Sequence, residues 1–594
     1  MVNVPAAEGV ALRAVGYYTQ YPGFIDAAGP AAGENVNDGH RVGGRLAVTL
    51  EPGPGISITP RILYQEIRVG GFNRQEVYNL YSNPFTNPAR IFDERQQYLL
   101  LRERFADDTL LADLTARWQA TENIELTSVS TYINRDILVS RDASALTGSV
   151  SVDLGFPAAG VLLPSNLVDE THLTTFSQEV RAAVDVPDVF TAVVGVFYSD
   201  TSRNYTQRLP TPGYDVFTDA RFGAGTSAAV ANGFPLNSPY NADLPYDISQ
   251  WALFTEFTFN ITQRFDLTVG GRYYDFSEVR QFNSGGLFSN GDNNIDRTSS
   301  SGFSPRLIAS YELSDDIRIN AQASKGFRLG GVNDPLNEGL CSAQDRIDYG
   351  GFDRYDDETL WNYELGVRGQ RRGLSFSAAA FYTDIRNLQV TADAGSCSSR
   401  VVFNADAHTM GLEFELTARP VHGLELSLAG SVIEAEFDET RLKQNGQVLE
   451  GIREGNRLAS VPNFQVAASA YYSFPLGEGG DEAYVGATFQ HVGTRFTQPG
   501  DQENNPRTFV HGLPFNGAPA NASTVLDLRL PSYNYVNLSA GIDWDNGLGV
   551  MIYVNNVFDE NALLSFDRER GGRARLGFHV GQPRIIGATV RKRF

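Results

Sequence analysis

What the sequence lacks narrows the classes to which the protein can belong. No run approaches about 18 consecutive apolar residues, so the sequence predicts no transmembrane helix. Basic residues are outnumbered, with 48 Lys and Arg against 70 Asp and Glu, and the formal net charge is −22. Because binding to a phosphate backbone needs a basic face, we expect no nucleic-acid partner. The acidic excess is best explained as a solvated surface.

Catalytic and metal-binding motifs are also missing. The sequence contains no G-x-S-x-G, H-E-x-x-H or P-loop pattern. The Asx-rich stretch from Gly291 to Asp296 lacks the full calcium-loop pattern and is predicted to be a turn. The 7 histidines do not have the spacing of metal ligands, which favours surface or lumen positions: His40, His172, His408, His422, His491, His511 and His579. We therefore expect no enzymatic activity, no cofactor and no metal.

The residues that are present favour many short strands. Hydrophobic residues make up 42% of the chain, and 58 glycines accompany frequent Asn and Asp, a composition typical of strands joined by many turns. In the stretch from Gly302 to Asn333, two alternating runs, Pro305–Leu313 and Asp316–Phe327, flank a tight turn predicted at Ser314-Asp315. Alternation of this kind predicts about 21 strands, at 1–5, 9–21, 40–51, 55–69, 104–119, 123–139, 172–185, 189–207, 247–260, 264–281, 302–313, 316–326, 358–371, 373–388, 401–419, 422–437, 462–475, 481–496, 531–545, 547–556 and 584–594.

The connections between these strands alternate in length. Tight turns alternate with long connections, predicted at 22–39, 70–103, 140–171, 208–246, 282–301, 327–357, 389–400, 438–461, 497–530 and 557–583. Loops beyond about 15 residues are uncommon in a compact soluble domain. Short turns at one rim and long loops at the other are typical of an outer-membrane β-barrel, so the whole chain, 1–594, is predicted to be one transmembrane antiparallel β-barrel.

The two faces of the predicted strands support this interpretation. In 411–418, Leu412, Phe414 and Leu416 alternate with Glu413 and Glu415. A charge at every second position would be costly against a dry core, whereas a water-filled lumen removes that cost. The alternative is a large soluble β-protein with one wet face. Strand 462–475 has the same pattern, with the apolar set Phe464, Val466, Ala468, Ala470, Tyr472 and Phe474.

Several segments resemble the barrel of TonB-dependent outer-membrane receptors, and the resemblance covers essentially the whole chain. They are Ser324–Asn333 (SKGFRLGGVN), Gly455–Leu458 with Pro462, Tyr535–Leu538, Asn555–Asp559 and the terminal Phe594. The resemblance implies a barrel of the 22-strand type in the bacterial outer membrane. It also implies that Phe594 is part of the signal read by the barrel assembly machinery.

The sequence departs from that family at its start. Met1 to Pro5 has neither the basic nor the apolar region of a signal peptide, and no plug domain precedes the first predicted strand. Because bacterial single-chain barrels have even strand numbers, about 21 strands suggest that one strand is missing before Met1. We therefore expect an N-terminally truncated barrel, which would couple to TonB only if the plug were supplied.

The resemblance implies uptake of a scarce small molecule, most often a ferric siderophore, by a protein embedded in outer-membrane lipid. A passive porin-like pore, a surface adhesin and a non-functional fragment remain alternatives. Aromatic side chains in loop 208–246 are candidate ligand contacts, because they could stack on a ring-bearing ligand; packing of the loop against itself is the competing explanation. These are Tyr214, Phe217, Phe222, Phe234, Tyr240 and Tyr246.

The two cysteines give the most specific local prediction. Cys341 and Cys397 lie in loops 327–357 and 389–400, which flank one hairpin and share a rim. An oxidising exterior permits a disulfide there. Loop 327–357 is also rich in acidic residues, for which solvation is a better explanation than a cation site.

Overall fold

The computed structural model describes residues 1–87, 92–477 and 479–593. One antiparallel 21-stranded sheet runs through it, and each strand pairs with the next one along the chain. Its strands are Val2–Ala7, Val10–Tyr21, Gly39–Gly53, Ile56–Val69, Arg104–Thr121, Ile124–Asp142, Asn166–Val186, Phe190–Arg208, Asn241–Thr262, Phe265–Gly285, Asn293–Ser314, Ile317–Arg328, Glu358–Arg371, Leu374–Asp393, Arg400–Ala418, Leu424–Phe437, Phe464–Pro475, Glu482–Val492, Tyr533–Asp543, Leu548–Asn555 and Ile585–Lys592.

Smaller elements lie in the long connections at one end of these strands. The short strands are Asp26–Ala28, Arg74–Asn79, Gln96–Tyr98, Gly331–Val332, Arg354–Tyr355, Arg495–Phe496, Arg507–Val510, Ser523–Leu526, Arg529–Leu530, Leu563–Glu569 and Arg575–Val580. The helices are Ser144–Asp153, Ala158–Val161, Tyr214–Phe222, Thr226–Val230 and Ala343–Tyr349, with 3-10 turns at Gly395–Cys397, Pro499–Gln502 and Arg570–Gly572. Within the described ranges, no helix is long and apolar enough to cross a membrane.

Several strands in the middle of the chain extend further than alternation predicts. The strand predicted at 302–313 begins at Asn293, because Asn293–Ser301 pairs with the far end of Phe265–Gly285. Residues 293–301 are mostly polar and show no apolar alternation, so no local signal indicates a strand there. As a result, the connections predicted at 282–301 and 389–400 shorten to 286–292 and 394–399.

One turn is displaced by a residue from its predicted place. The turn predicted at Ser314-Asp315 lies at Asp315 and Asp316. An irregularity in the register between Glu312 and Ser314 pairs Ser314 with Ile317, which moves the turn one residue along the chain.

One predicted strand is shorter than expected. The strand predicted at 481–496 ends at Val492, and Arg495–Phe496 instead pairs with Arg529–Leu530.

The two faces of the sheet differ in the side chains that they carry: one is exposed and apolar, and the other lines a cavity with charged residues. Leu412 and Leu416, with 59% and 37% of their surfaces exposed, lie on one face of the sheet. Glu413 and Glu415 line a cavity of about 510 Å³ on the other side. In the last strand, Ile586 and Val590 are 76% and 69% exposed. The sheet itself therefore buries little apolar surface, and we call it the strand wall.

The buried core lies elsewhere, in the connections 22–38, 70–103, 143–165, 209–240, 286–292, 329–357, 394–399, 438–463, 493–532 and 556–584 together with the strand ends beside them. We call this region the loop layer. Its largest fully buried side chains include Tyr214, Phe288, Leu80 and Leu528. Close packing of these side chains gives the described parts of the connections a defined conformation.

Candidate functional site

In the loop layer, a connection near the start of the chain pairs with one near its end. Arg74–Asn79 lies after the fourth strand of the wall, and Arg575–Val580 lies before its last strand. These two segments pair antiparallel, with Arg575 opposite Asn79, and Leu563–Glu569 completes a three-stranded sheet. The first and last regions of the wall are therefore bridged by hydrogen bonds made above it.

Buried charges hold this bridge. Arg74 Nη2 donates to Glu103 Oε1 at 3.0 Å, and Arg74 Nε lies 3.5 Å from Glu76 Oε1. Arg575 Nη2 contacts Glu569 Oε1 at 2.5 Å, and its Nε lies 3.8 Å from Glu76. All five side chains are at least 86% buried, so their charges are stabilised mainly by each other.

Burial shifts the titration of this cluster. It raises the pKa of Glu76 to about 7, against the opposing effect of Arg74 and Arg575. Burial alone would lower the pKa of Arg74, but the carboxylates of Glu103 and Glu76 outweigh it and raise that pKa. The two directions are compatible, because Glu103 is the nearer partner and keeps Arg74 charged whether or not Glu76 is ionised.

The six predicted aromatic contacts fall into different environments. Tyr214 is 1% exposed and packs edge-on against Phe288, with 5.6 Å between ring centroids. Phe217 and Tyr240 are partly buried against the same cluster, and Arg208 lies over the Phe234 ring.

The remaining two aromatics differ from each other. Phe222 lies at the end of helix Tyr214–Phe222 with 43% of its surface exposed. Tyr246 lies beneath Arg203 and Arg280. The structure thus packs Tyr214 into the loop itself and leaves Phe222 open to solvent. Ligand contact by the six aromatics stays a prediction.

The structure joins Cys341 and Cys397 by a disulfide. Both cysteines lie in a buried apolar cluster with Tyr349, Val401 and Phe403. The connection 329–357 is therefore packed onto the neighbouring hairpin as well as cross-linked to it. The predicted assembly signal, Phe594, lies outside the described residues.

Some acidic side chains of this connection serve as local acceptors. Asp345 accepts from the backbone N–H of Ser396 at 3.0 Å, and Asp357 accepts from that of Gly330 at 2.7 Å. Burial opposes the ionised form of Asp345, but the hydrogen bonds from Ser396 and Ser342 lower its pKa overall. No cluster of three or more His, Cys, Asp or Glu side chains suited to a metal occurs among the residues described.

Three cavities differ in the chemistry of their walls. The wall cavity of about 510 Å³ is lined by Glu364, Arg368, Glu413 and Glu415. A loop-layer cavity of about 750 Å³ has acidic walls that include Asp292, Asp296, Asp334, Glu338 and Asp353. A second loop-layer cavity, of about 540 Å³, is lined by aromatic and aliphatic side chains.

Sequence reasoning missed the bridge and the aromatic cavity. Arg74 and Glu103 are 29 residues apart, and Tyr78 stacks on His511 from a distant connection. Pairings across such separations leave no periodic pattern in one sequence. The segment Arg74–Asn79 (RQEVYN) shows no alternation of polar and apolar residues and is too short to predict a strand.

Comparison with known proteins shows which family has this architecture. The family model described as TonB dependent receptor-like, beta-barrel, matches residues 49–557. The pesticin receptor of Yersinia pestis is 23% identical over 357 residues, which are 59% of this chain and 45% of that protein. The chain thus spans about half the length of the curated relatives it matches.

Solved structures share the fold at low identity. The ferric yersiniabactin uptake receptor FyuA from Yersinia pestis has a TM-score of 0.71 at 17% identity, covering 100% of this chain and 77% of that one. The pyoverdine outer membrane receptor FpvA from Pseudomonas aeruginosa PAO1 has a TM-score of 0.64 at 14% identity, covering 100% and 75%. Because the family model spans more than half of the sequence, the chain belongs to the TonB dependent receptor-like β-barrel family.

Proposed function

We propose that this chain forms the membrane-spanning part of an outer-membrane receptor that takes up a scarce small molecule, an iron–siderophore complex. The observation that carries the proposal is the match of the family model to residues 49–557. The strand wall fits a bilayer because one of its faces is apolar from strand to strand while the other is polar. In this setting the protein is a transporter and not an enzyme.

The proposed ligand class follows from the similar structures. Their names include a ferric yersiniabactin uptake receptor and a receptor bound to pyoverdine. A packed loop layer with cavities of several hundred Å³ supports the same proposal, because drug-sized ligands bind in clefts of about 300–1,000 Å³. The loop layer faces the outside of the cell in this arrangement.

Partners follow from the same proposal. Lipid of the bacterial outer membrane surrounds the apolar face, and the barrel assembly machinery inserts the chain. TonB is a proposed partner only together with a plug domain, through which the family couples to it.

Ligand capture tests the proposal directly. The purified chain in detergent, immobilised on a resin, is incubated with medium from iron-starved bacteria, and the eluate is analysed for iron complexes by mass spectrometry. We expect one ferric complex to be enriched over an empty resin. Phe222→Ser is expected to weaken capture, whereas Phe558→Ser, which changes a ring 72% exposed in another connection, is the matched control.

Planar-bilayer recordings separate the alternatives. Steady conductance without capture of any ferric complex would favour a passive pore. Neither conductance nor capture would favour an adhesin or a structural barrel. Capture with little conductance is the result that the receptor proposal requires.

A further inference from the structure

The outward face of the strand wall, which carries Leu412, repeats one pattern on several strands that run toward the loop layer. In Phe190–Arg208, the outward positions hold only apolar side chains from Phe190 to Val196, then Tyr198, and then Asp200. These residues share the face of Leu412, because residues paired across the ladder from strand to strand lie on one face. The same order occurs at Ile56–Tyr64 with Glu66, at Phe265–Tyr273 with Asp275 and at Leu374–Tyr382 with Asp384.

The apolar stretch has the same length on these four strands. From Phe190 to Tyr198 it covers eight steps between residues, as it does from Leu374 to Tyr382. At about 3.3 Å per residue, this is about 26 Å along the strand, which suits an apolar band about 25 Å tall. The tyrosines that end the stretches are all 40–48% exposed. Exposed tyrosines at this level are typical of the interface between a membrane and water.

A carboxylate follows each of these tyrosines on the side of the loop layer. A fifth strand, Leu424–Phe437, has Val432 in place of the tyrosine, and Glu434 is the next outward residue. We call the carboxylates that directly follow the apolar stretches the acidic collar: Glu66, Asp200, Asp275, Asp384 and Glu434. The collar presents one negative side chain on each of five strands, at the level where lipid headgroups would meet the wall.

The collar has few cations of its own. Arg68 and Arg386 lie 3.4 and 3.1 Å from the carboxylates of two collar residues. Asp200 and Asp275 form no ion pair with any residue that the structure describes, and the nearest basic group to Glu434 is a histidine nitrogen 3.8 Å away. A carboxylate that loses water needs another source of positive charge or hydrogen bonds. Where headgroups displace water from the collar, the headgroup has to supply it.

We propose that the acidic collar is a contact surface for lipid headgroups and that it binds headgroups carrying an ammonium group. A headgroup phosphate alone would meet like charge at the collar, whereas an ammonium group donates a charge-assisted hydrogen bond to a carboxylate. One carboxylate per strand suits this partner, because a monovalent ammonium group needs only one. The inference rests on the membrane setting of the proposed function and specifies the lipid partner of the wall.

Competition between two lipids tests the proposal on the full chain. The vesicles contain equal amounts of phosphatidylethanolamine, whose headgroup carries an ammonium group, and phosphatidylglycerol, whose headgroup has none, with the same acyl chains. Native mass spectrometry of the chain extracted from these vesicles counts the lipids that stay bound. We expect phosphatidylethanolamine to be retained about 2- to 5-fold more than phosphatidylglycerol, the range expected for exposed ion pairs.

Two double variants show which carboxylates are responsible. Asp200→Asn with Asp275→Asn neutralises the two collar residues without an ion pair and is expected to abolish the preference. Glu413→Gln with Glu415→Gln removes the same charge from the wall cavity on the opposite face and is expected to leave the preference unchanged. Circular dichroism of each variant checks that the sheet is intact.

Three results would overturn the proposal: equal retention of the two lipids by the parent chain, an unchanged preference in the collar variant, or an equal loss in the wall-cavity variant. A preference for phosphatidylglycerol once Mg²⁺ is added would also overturn it, because a bridging divalent cation would then be the partner. None of these results involves a ferric complex, so each leaves the receptor proposal standing. Failure to capture a ferric complex, alongside a normal lipid preference, would overturn the receptor proposal alone.

Discussion

The strand wall and the loop layer are built on opposite principles. In the wall, side chains on both faces are open: Leu412 is 59% exposed, and neighbouring Glu413 is exposed on the other side. In the loop layer, Tyr214 and Phe288 are 1% and 2% exposed, and even Arg74 is buried. The wall depends on its hydrogen-bonded ladder and on the solvents it faces, whereas the loop layer depends on packing and internal charge pairing.

This difference makes the loop layer the more sensitive part to single side-chain changes. A pair that is solvated on the wall can lose one partner cheaply, because water replaces it. A pair buried in the loop layer cannot, because the remaining charge is left without hydration. The predictions below test that contrast, from the largest expected effect to the smallest.

Breaking a buried ion pair gives the largest expected effect. Arg74→Met leaves Glu103 buried without its cation and leaves Glu76 with Arg575 alone, and it is expected to destabilise the loop layer by about 3–5 kcal/mol. The control is Arg306→Met on the wall. There Arg306 lies 3.1 Å from Glu256, both partners are more than 40% exposed, and the expected cost is about 0–1 kcal/mol. Denaturant-dependent proteolysis of the loop layer measures both, and equal costs would contradict the contrast.

Removal of the disulfide is expected to cause the next largest loss of stability. Replacing Cys341 and Cys397 together by serine removes a cross-link between positions separated by 56 residues and should destabilise the connection 329–357 by about 2–4 kcal/mol. Limited proteolysis of native protein should show earlier cleavage within 329–357. Mass spectrometry of the non-reduced parent protein gives the prior check, since two free thiols would refute the cross-link itself.

A charge on the outer face of the wall tests which solvent that face meets. Leu412→Arg is expected to cost about 2–4 kcal/mol if position 412 lies near the bilayer midplane. Glu413→Gln, one residue along on the lumen side, is the control and should cost little. Unfolding from lipid vesicles is the measurement, and an equal response of the two positions would contradict a membrane around Leu412.

The sequence predicts the strand wall much better than the loop layer. Alternation in a strand is local, so Leu412, Glu413 and the other members of the wall could be assigned to faces from the sequence. The disulfide was also predictable, because its cysteines flank a single hairpin. The bridge between Arg74–Asn79 and Arg575–Val580 was not, because nearly 500 residues separate the two segments and neither has a long repeating pattern. The cavity lined by Tyr78, Leu80 and His511 depends on that same long-range assembly.

Titration of Glu76 gives the smallest effect and the finest test of the loop layer. Its pKa is about 7 in the folded chain against 4.5 for the ordinary side chain, so the folded state holds the proton more tightly than the unfolded state. Stability from this group is therefore complete below about pH 4.5 and is lost as the pH rises through about 7.

The neighbouring groups require a difference measurement. Glu569 also has a raised pKa and acts in the same direction, while His579, whose pKa is lowered by burial, acts in the opposite one. Arg74, Arg575, Glu103 and Asp567 also belong to the charged surroundings. Glu76→Gln removes the contribution of Glu76 alone, so proteolytic stability of the loop layer should fall less between pH 5 and pH 7.5 in this variant than in the parent. Identical pH profiles would mean that Glu76 is already ionised throughout this range, held by Arg74 and Arg575 despite its burial.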